Sequence, residues 1–365
     1  MPLPTQRDHE ALRLRLLDWL AQQLPAGSDP KISALSIPEA SGFSSETLLF
    51  DATWGDEGRR QTGAFVVRTA PDMDDHPIFP SYDLAMQHRC LALVREHTDV
   101  PVPRAPWIEL DPEPLGAPFF VMERIEGQVP PDNPPYVFGG WLAEASAEQR
   151  ADFQHRSVEV LAKLHTLEPR SVDLGFLERP EFGESALDQL LGYQRYYYDW
   201  ARKGVTYPSI ERAFDWLEAH RPESEGPSVL NWGDSRIGNI MYRDFRPVAV
   251  LDWEMAAVGA PEADLAWMVH MHDFFADFAD QAGLPGLPGF LRWQDVTATY
   301  EQLTGRDVRN FPFYAVFAGL RYMIISIQIG LRGIAYGQME RPSDLDELLM
   351  NRGVVERMMS GEYWD

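Results

Sequence analysis

VLNWGDSRIGNIMYRDFRPVAVLDWEMAAVGAPEADLAW, residues 229–267, is the stretch on which the reading of the whole chain turns. Ile240, Met241 and Tyr242 form one short apolar run, and Val248 to Leu251 form another. Arg243, Asp244, Phe245, Arg246 and Pro247 lie between them and predict a turn, so the pair reads as a β-hairpin. Such a hairpin brings Asn239, just before its first strand, and Asp252, just after its second, to the same end. Asp234 lies on the loop leading in. An amide oxygen and two carboxylates on one rigid hairpin suit Mg²⁺, a hard cation that takes oxygen ligands and keeps several waters. A carboxylate there can also accept the proton of an attacking hydroxyl. Each Asp taken alone reads equally well as a turn or helix cap. It is the three together, at this spacing, that point to phosphoryl transfer.

The D-x-x-x-x-N spacing from Asp234 to Asn239 is that of a kinase catalytic loop, with Asp252 where a kinase keeps its metal-binding Asp. Around it stand Trp232-Gly233-Asp234, Leu251-Asp252-Trp253-Glu254 and Gly259-Ala260-Pro261-Glu262-Ala263-Asp264-Leu265-Ala266. In these motifs the chain resembles the aminoglycoside phosphotransferase-like kinases, a family grouped with the choline kinases. The resemblance spans residues 35–271. It departs from the family at Trp232, where the family pattern has a His of architectural role.

The resemblance implies an α+β, two-lobed, protein-kinase-like fold. Residues 1–125 would form a small, mainly-β lobe and residues 126–365 a larger, mainly-α lobe, with ATP between them. It implies Asp234 as the catalytic base, and Asn239 and Asp252 as ligands of Mg²⁺. Asp264 would brace the catalytic loop. The reaction implied is transfer of the γ-phosphate of ATP to a hydroxyl of a small molecule. Acceptors across the family include aminoglycosides, amino alcohols, sugars and hydroxyacyl thioesters.

Working outward, residues 32–37 read as a first strand, and residues 48–54 and 64–69 as two more joined by a polar turn. Between the first two, 40–46 holds Ser41, Gly42, Ser44 and Ser45. Such a loop can offer backbone N–H groups and hydroxyls to phosphates, or can be an ordinary polar connection. Its position matches the family's phosphate loop. Arg68 stands where kinases place a phosphate-contacting Lys, and a guanidinium can serve that role through its planar fork. Residues 82–97 read as the next helix. Its register puts Gln87, not a Glu, in the place of the usual partner of that cation, where it could hydrogen-bond Arg68. The apolar strand 118–124 resembles a kinase hinge, with backbone groups from Glu123 to Ile125 on the adenine edge.

Beyond the hinge the periodicity is helical. Segments 147–167, 187–203, 209–220, 261–280, 290–303, 312–335 and 344–359 all read as helices. His165, at the end of the first, reads as a packed or capping residue. The aromatic row from Tyr193 to Trp200 reads as core or as a substrate wall. Asp273, Asp277 and Asp280 share one helix face, which is either solvated or amine-binding. Arg236, two residues after Asp234, reads first as a brace and second as a contact to the transferring phosphoryl group.

Composition narrows the partners. The chain has 365 residues and a formal net charge of −24, with 56 acidic against 32 basic side chains. That excludes general nucleic-acid binding, which needs a basic face. It is compatible with a cationic small substrate, and equally with solubility alone. Cys90 is the sole cysteine, and the N-terminus lacks the pattern of a signal peptide, so a cytoplasmic location is expected. Segment 313–334 is apolar but carries Arg321, Gln328 and Arg332, and reads as a buried helix, not a membrane span. Two other readings stand beside the kinase. A metal-dependent hydrolase would use Asp234 and Asp252 but lacks nearby His ligands. A nucleotide-binding pseudokinase or scaffold is favoured by the missing Lys–Glu pair and by Trp232, and disfavoured by the retained Asp234, Asn239 and Asp252.

Overall fold

Asp8 opens the first helix, α1 (His9–Gln23), by accepting the N–H groups of Glu10 and Ala11 at 3.0 and 3.1 Å. A computed structural model of the chain describes residues 8–38, 46–56 and 58–364. Leu12, Leu16, Trp19 and Leu20 form the buried stripe of α1. They cover one face of an antiparallel sheet of β1 (Lys31–Ile32), β2 (Glu46–Asp56), β3 (Arg59–Thr69), β4 (Trp107–Glu109) and β5 (Phe119–Glu123), in the order β1-β2-β3-β5-β4. Side chains alternate between faces along a strand. Phe65, Val67, Phe119 and Val121 therefore turn toward α1. Arg68 and its cross-strand neighbour Phe120 turn the other way. Of the expected first strand over 32–37, only its start and an isolated bridge at Ser36 form. β2 and β3 run further than expected, to Asp56 and from Arg59, which shortens the turn between them.

The other face of the sheet meets a second and larger core. α2 (Leu84–His97) belongs to it through Leu84, Leu91 and Val94, as does Phe120. The helices α3 (Ala147–Leu164), α4 (Ala186–Ala201), α5 (Pro208–Ala219), α6 (Glu262–Gln281), α7 (Trp293–Thr304), α8 (Phe311–Ala335) and α9 (Arg352–Ser360) supply most of the rest. α6 and α8 sit at its centre. α8 is long and apolar enough to cross a membrane, yet 83% of its most apolar stretch is buried in protein. Two short antiparallel pairs are set into this helical region. They are β6 (Val229–Asn231) with β9 (Ala257–Gly259), and the hairpin β7 (Ile240–Arg243) with β8 (Arg246–Val250).

The helix expected over 344–359 is broken in two. A 3₁₀ turn at Leu345–Leu348 precedes α9. The interruption falls at Asn351, which is fully buried. Its amide donates to the Gly319 carbonyl at 2.9 Å and pairs with His270 Nε2 at 2.8 Å. These side-chain bonds to α8 and α6 compete with continuation of the helix.

On α6, Asp273 is half-buried and carries a tertiary partner. Tyr363 donates its hydroxyl to Asp273 Oδ2 at 2.5 Å. Burial pushes this carboxyl up to about 7, although Tyr363 and Arg357 favour its charged form. A carboxyl raised in the folded state stabilises the fold at low pH, and that contribution is lost as pH rises through the folded value. Thermal stability is thus expected to fall between about pH 4 and pH 7, and Asp273→Asn is expected to flatten the fall. Melting curves of both proteins across that range check this. Equal slopes would remove Asp273 as the cause.

Candidate active site

The hairpin delivers its two ends as expected. Ile240 pairs with Val250, and Leu251 N–H donates to the Asn239 carbonyl at 2.9 Å. Asn239 closes a 3₁₀ turn over Ile237–Asn239, which projects its side chain back toward Asp234. The Asn239 amide donates to Asp234 Oδ2 at 2.7 Å and to the Asp234 carbonyl at 3.1 Å. With its nitrogen so engaged, the Asn239 side-chain oxygen is turned away from Asp234. The other Asp234 oxygen accepts from Trp267 Nε1 at 2.7 Å. Burial pushes the Asp234 carboxyl above its ordinary value. Arg236, Trp267 and Asn239 pull it down, and the Asp252 charge adds to the rise. The result is a carboxylate whose two oxygens are both oriented and which holds a proton more readily than a surface Asp.

Arg236 braces. Its Nη1 lies 2.7 and 2.6 Å from the two Asp132 oxygens, and its Nε 3.3 Å from Asp234. Asp132 comes from the Pro-rich loop after β5, so this arginine ties that loop to the catalytic loop. Burial opposes the Arg236 charge, but Asp132 and Asp234 outweigh it and hold its pKa up.

Asp264, at the start of α6, is fully buried and grips the loop from behind. It accepts Trp232 N–H at 2.7 Å, Gly233 N–H at 2.9 Å and His165 Nε2 at 3.1 Å. His165 in turn meets the Tyr300 hydroxyl through Nδ1 at 3.0 Å. It therefore acts as a packed link at the end of α3. Gly233 has φ +89, and a Cβ there would fall 1.9 Å from the Met255 carbonyl, so only glycine fits. Trp232 serves the opposite strand end. Its indole Nε1 donates to the carbonyls of Leu251 and Asp252 at 2.8 and 3.0 Å. The departure from the family His thus still supplies a ring N–H, and it fixes the backbone that presents Asp252.

Asp252 has φ +62, a left-handed conformation that this local bonding supports. Its carboxylate pairs with Arg68 Nη2, which also reaches Glu254 at 3.2 Å. Arg68 is nine-tenths buried. Burial works against its charge, and Asp252 with Glu254 more than offsets that and holds its pKa up. The expectation that Gln87 orients Arg68 is corrected. Gln87 makes no hydrogen bond to it, and its own amide nitrogen is buried without a partner. Two carboxylates from the strand end after β8 take that place, because β3 turns Arg68 toward the hairpin. Arg68 Nε is left without a protein acceptor among the described residues.

At the hinge, Glu123 N–H donates to the Arg104 carbonyl at 2.8 Å and Arg124 N–H to the Ala64 carbonyl at 2.9 Å. Ile125 N–H has no partner among the described residues. Ser41, Gly42, Ser44 and Ser45 lie outside the described residues. No cluster of three or more His, Cys, Asp or Glu side chains with metal-binding geometry occurs among the described residues. The donor set at the hairpin is one amide oxygen and one carboxylate. It suits a cation that completes its shell with water and phosphate oxygens, as Mg²⁺ does.

Three contributors carry little or no mark in the sequence. Trp267 ends the quoted stretch, and a buried indole N–H needs an acceptor, which is the one available signal. Glu254 lies in the quoted motif but its partner is 186 positions away. Asp132 gives no signal at all.

A model of the phosphotransferase enzyme family matches residues 40–302. Among solved structures, a protein of Ralstonia eutropha assigned as an aminoglycoside phosphotransferase superposes with a TM-score of 0.65, at 21% identity, over 96% of this chain and 97% of that one. The macrolide 2′-phosphotransferase MphH of Brachybacterium faecium gives a TM-score of 0.56 at 19% identity, over 92% and 97%. The ternary complex of aminoglycoside phosphotransferase APH(4)-Ia with ADP and hygromycin B gives 0.55 at 14%, over 94% and 98%. These likenesses establish the α+β, kinase-like fold. Among curated relatives, acyl-CoA dehydrogenase family member 11 of Gallus gallus is 26% identical over 270 residues, 73% of this chain and 32% of that protein. Its Homo sapiens counterpart is 28% identical over 175 residues, 46% and 20%. The chain thus spans a third or less of the length of these relatives.

Proposed function

Because the chain belongs to the phosphotransferase enzyme family, we propose that it moves the γ-phosphate of ATP, with Mg²⁺, to a hydroxyl of a small molecule. The observation that carries the reading is Asp234, a buried carboxylate held by Trp267 on one oxygen and Asn239 on the other. Asp234 accepts the proton of the acceptor hydroxyl as that oxygen attacks phosphorus. Asn239 and Asp252 hold Mg²⁺ through oxygen. The ion, when bound, neutralises charge on the phosphate oxygens. Arg68, with its unpartnered Nε, offers a fork to a phosphate, while Asp252 and Glu254 set its direction. Residues 1–125 cover the nucleotide and residues 126–365 carry the catalytic hairpin, with the free Ile125 N–H beside the adenine edge. The complex of APH(4)-Ia, a protein of the same fold, with ADP and hygromycin B supports a nucleotide and a small molecule as the two ligands.

The reading is tested by Mg²⁺-dependent ATP binding in a calorimeter, followed by ADP release over an acceptor panel. Hydroxyacyl thioesters belong in the panel because the curated relatives are named as acyl-CoA dehydrogenase family members. Absence of ATP binding would overturn the reading. Asp252→Ala is expected to weaken Mg²⁺-ATP binding by about tenfold or more, ~1.4 kcal/mol. Unchanged affinity would remove Asp252 from the metal site.

A further inference from the structure

A pocket, open at one side, lies between α4, α8 and the catalytic loop. Much of its wall is apolar, including Phe79, Leu190, Tyr193, Tyr197, Val258 and Phe317. Gly233 and Glu254 line it too, which joins it to the loop carrying Asp234 and to the carboxylate beside Arg68. Its charges are unusual for a chain of net charge −24. Two arginines line it, Arg179 and Arg321, and neither forms an ion pair with a described residue. Glu254 is the one carboxylate in the lining among the described residues, and Arg68 already engages it.

Arg321 is 6% exposed. It donates to the Gly233 carbonyl at 3.0 Å and lies 4.5 Å over the Trp267 ring, the same indole that holds Asp234. A guanidinium has five N–H donors, so one carbonyl and one ring face leave most of its capacity unused. Burial of the charge is costly, and the Asp264 and Asp234 carboxylates offset only part of that cost. Consistent with that cost, burial pulls the Arg321 pKa down to about 10. Arg179 also lines the cavity, 4.0 Å over the Tyr193 ring. Asn231 lines the same space, is 2% exposed, and its side-chain oxygen has no donor among the described residues. An acceptor hydroxyl could satisfy it.

Resting on the phosphotransferase reading, we propose that this cavity is the acceptor subsite and that Arg179 and Arg321 select an acceptor with an oxyanion, carboxylate or phosphate, on an apolar body. A cationic substrate, which the net charge alone would allow, meets two arginines here that no described carboxylate bridges, and is disfavoured. Arginine matches both oxyanions through paired N–H donors, and the apolar wall takes the rest of the molecule.

The test uses the full chain with Mg²⁺-ATP and a set of six-carbon hydroxyalkanes that differ only at one end: carboxylate, phosphate, carboxamide or ammonium. ADP release is expected with the carboxylate or the phosphate, at a kcat/KM about tenfold or more above the carboxamide, and not with the ammonium compound. The order of carboxylate and phosphate identifies the source of the oxyanion. Arg179→Gln is expected to raise KM for the oxyanion about tenfold while leaving kcat near its original value, and to erase the preference over the carboxamide. Arg321→Lys keeps a buried cation and is the milder companion, because Arg321→Gln would also release the Gly233 carbonyl. Calorimetry of the same compounds against the protein with Mg²⁺-ADP separates the two ideas. Oxyanion binding that Arg179→Gln weakens, without ADP release, keeps the subsite and discards the kinase reading. ADP release with the carboxamide or ammonium compound at equal or better kcat/KM overturns the subsite and keeps the kinase reading. No oxyanion binding by calorimetry overturns the subsite.

Discussion

Asp234→Ala lowers kcat by about 10²- to 10⁴-fold while Mg²⁺-ATP still binds; this is the largest catalytic effect expected of any single substitution. The reason lies in how the carboxylate is held. Trp267 and Asn239 each fix one oxygen at 2.7 Å, so the base costs little reorganisation when the acceptor hydroxyl arrives. On the proposed assignment, Asp252, Asn239 and Arg68 would still position nucleotide and metal once the carboxylate is lost. Rate and binding should therefore separate. Burial also sets a pH signature. Asp234 is pushed upward, so the acid limb of the rate profile should lie above the ordinary carboxylate range. The same shift has the opposite sign for stability. A carboxyl raised in the folded state costs stability as pH rises through its folded value, a pH-dependent loss that Asp234→Ala should flatten. Steady-state ADP release, calorimetry and melting curves on the same preparation check all three. Full activity in Asp234→Ala would end the assignment of the base.

Asp264→Ala is expected to cost about 3–5 kcal/mol of folding stability, the largest structural effect in the molecule outside wholesale loss of core. Its carboxylate receives Trp232 N–H, Gly233 N–H and His165 Nε2, all in the interior. Alanine leaves those three donors unsatisfied, and each carries a desolvation penalty of about 1–3 kcal/mol. The consequence would reach the chemistry. Gly233 immediately precedes Asp234, and Trp232 fixes the carbonyls of Leu251 and Asp252, so both halves of the site hang from this one side chain. Urea denaturation at neutral pH measures the loss. A change below about 1 kcal/mol would mean that water or a rearranged loop satisfies the donors instead.

Whatever depends on residues close along the chain is legible in the sequence. A hairpin is written in two apolar runs and a turn, so pairing of neighbouring segments alone brings Asn239 and Asp252 together. Asp234 and Asn239 are five positions apart and meet within a single loop. The helices from α3 onward are legible because their apolar stripes repeat at helical spacing, and they drift only at their ends. The expectation of one helix over 344–359 fails, because the contact that breaks it, Asn351 with Gly319 and His270, spans three helices. The partners of buried charges, by contrast, are settled by the assembled fold. Arg68 meets Asp252 and Glu254, not Gln87, since β3 and the hairpin approach each other across 184 residues. Trp232 reads in the sequence as a lost His, and its indole instead donates to Leu251 and Asp252. The cavity between α4 and α8 joins side chains from distant segments, and its charge runs against the sign of the whole chain. Net charge is a sum over the surface. The potential in a cavity is set by the few groups whose partners the fold has withheld.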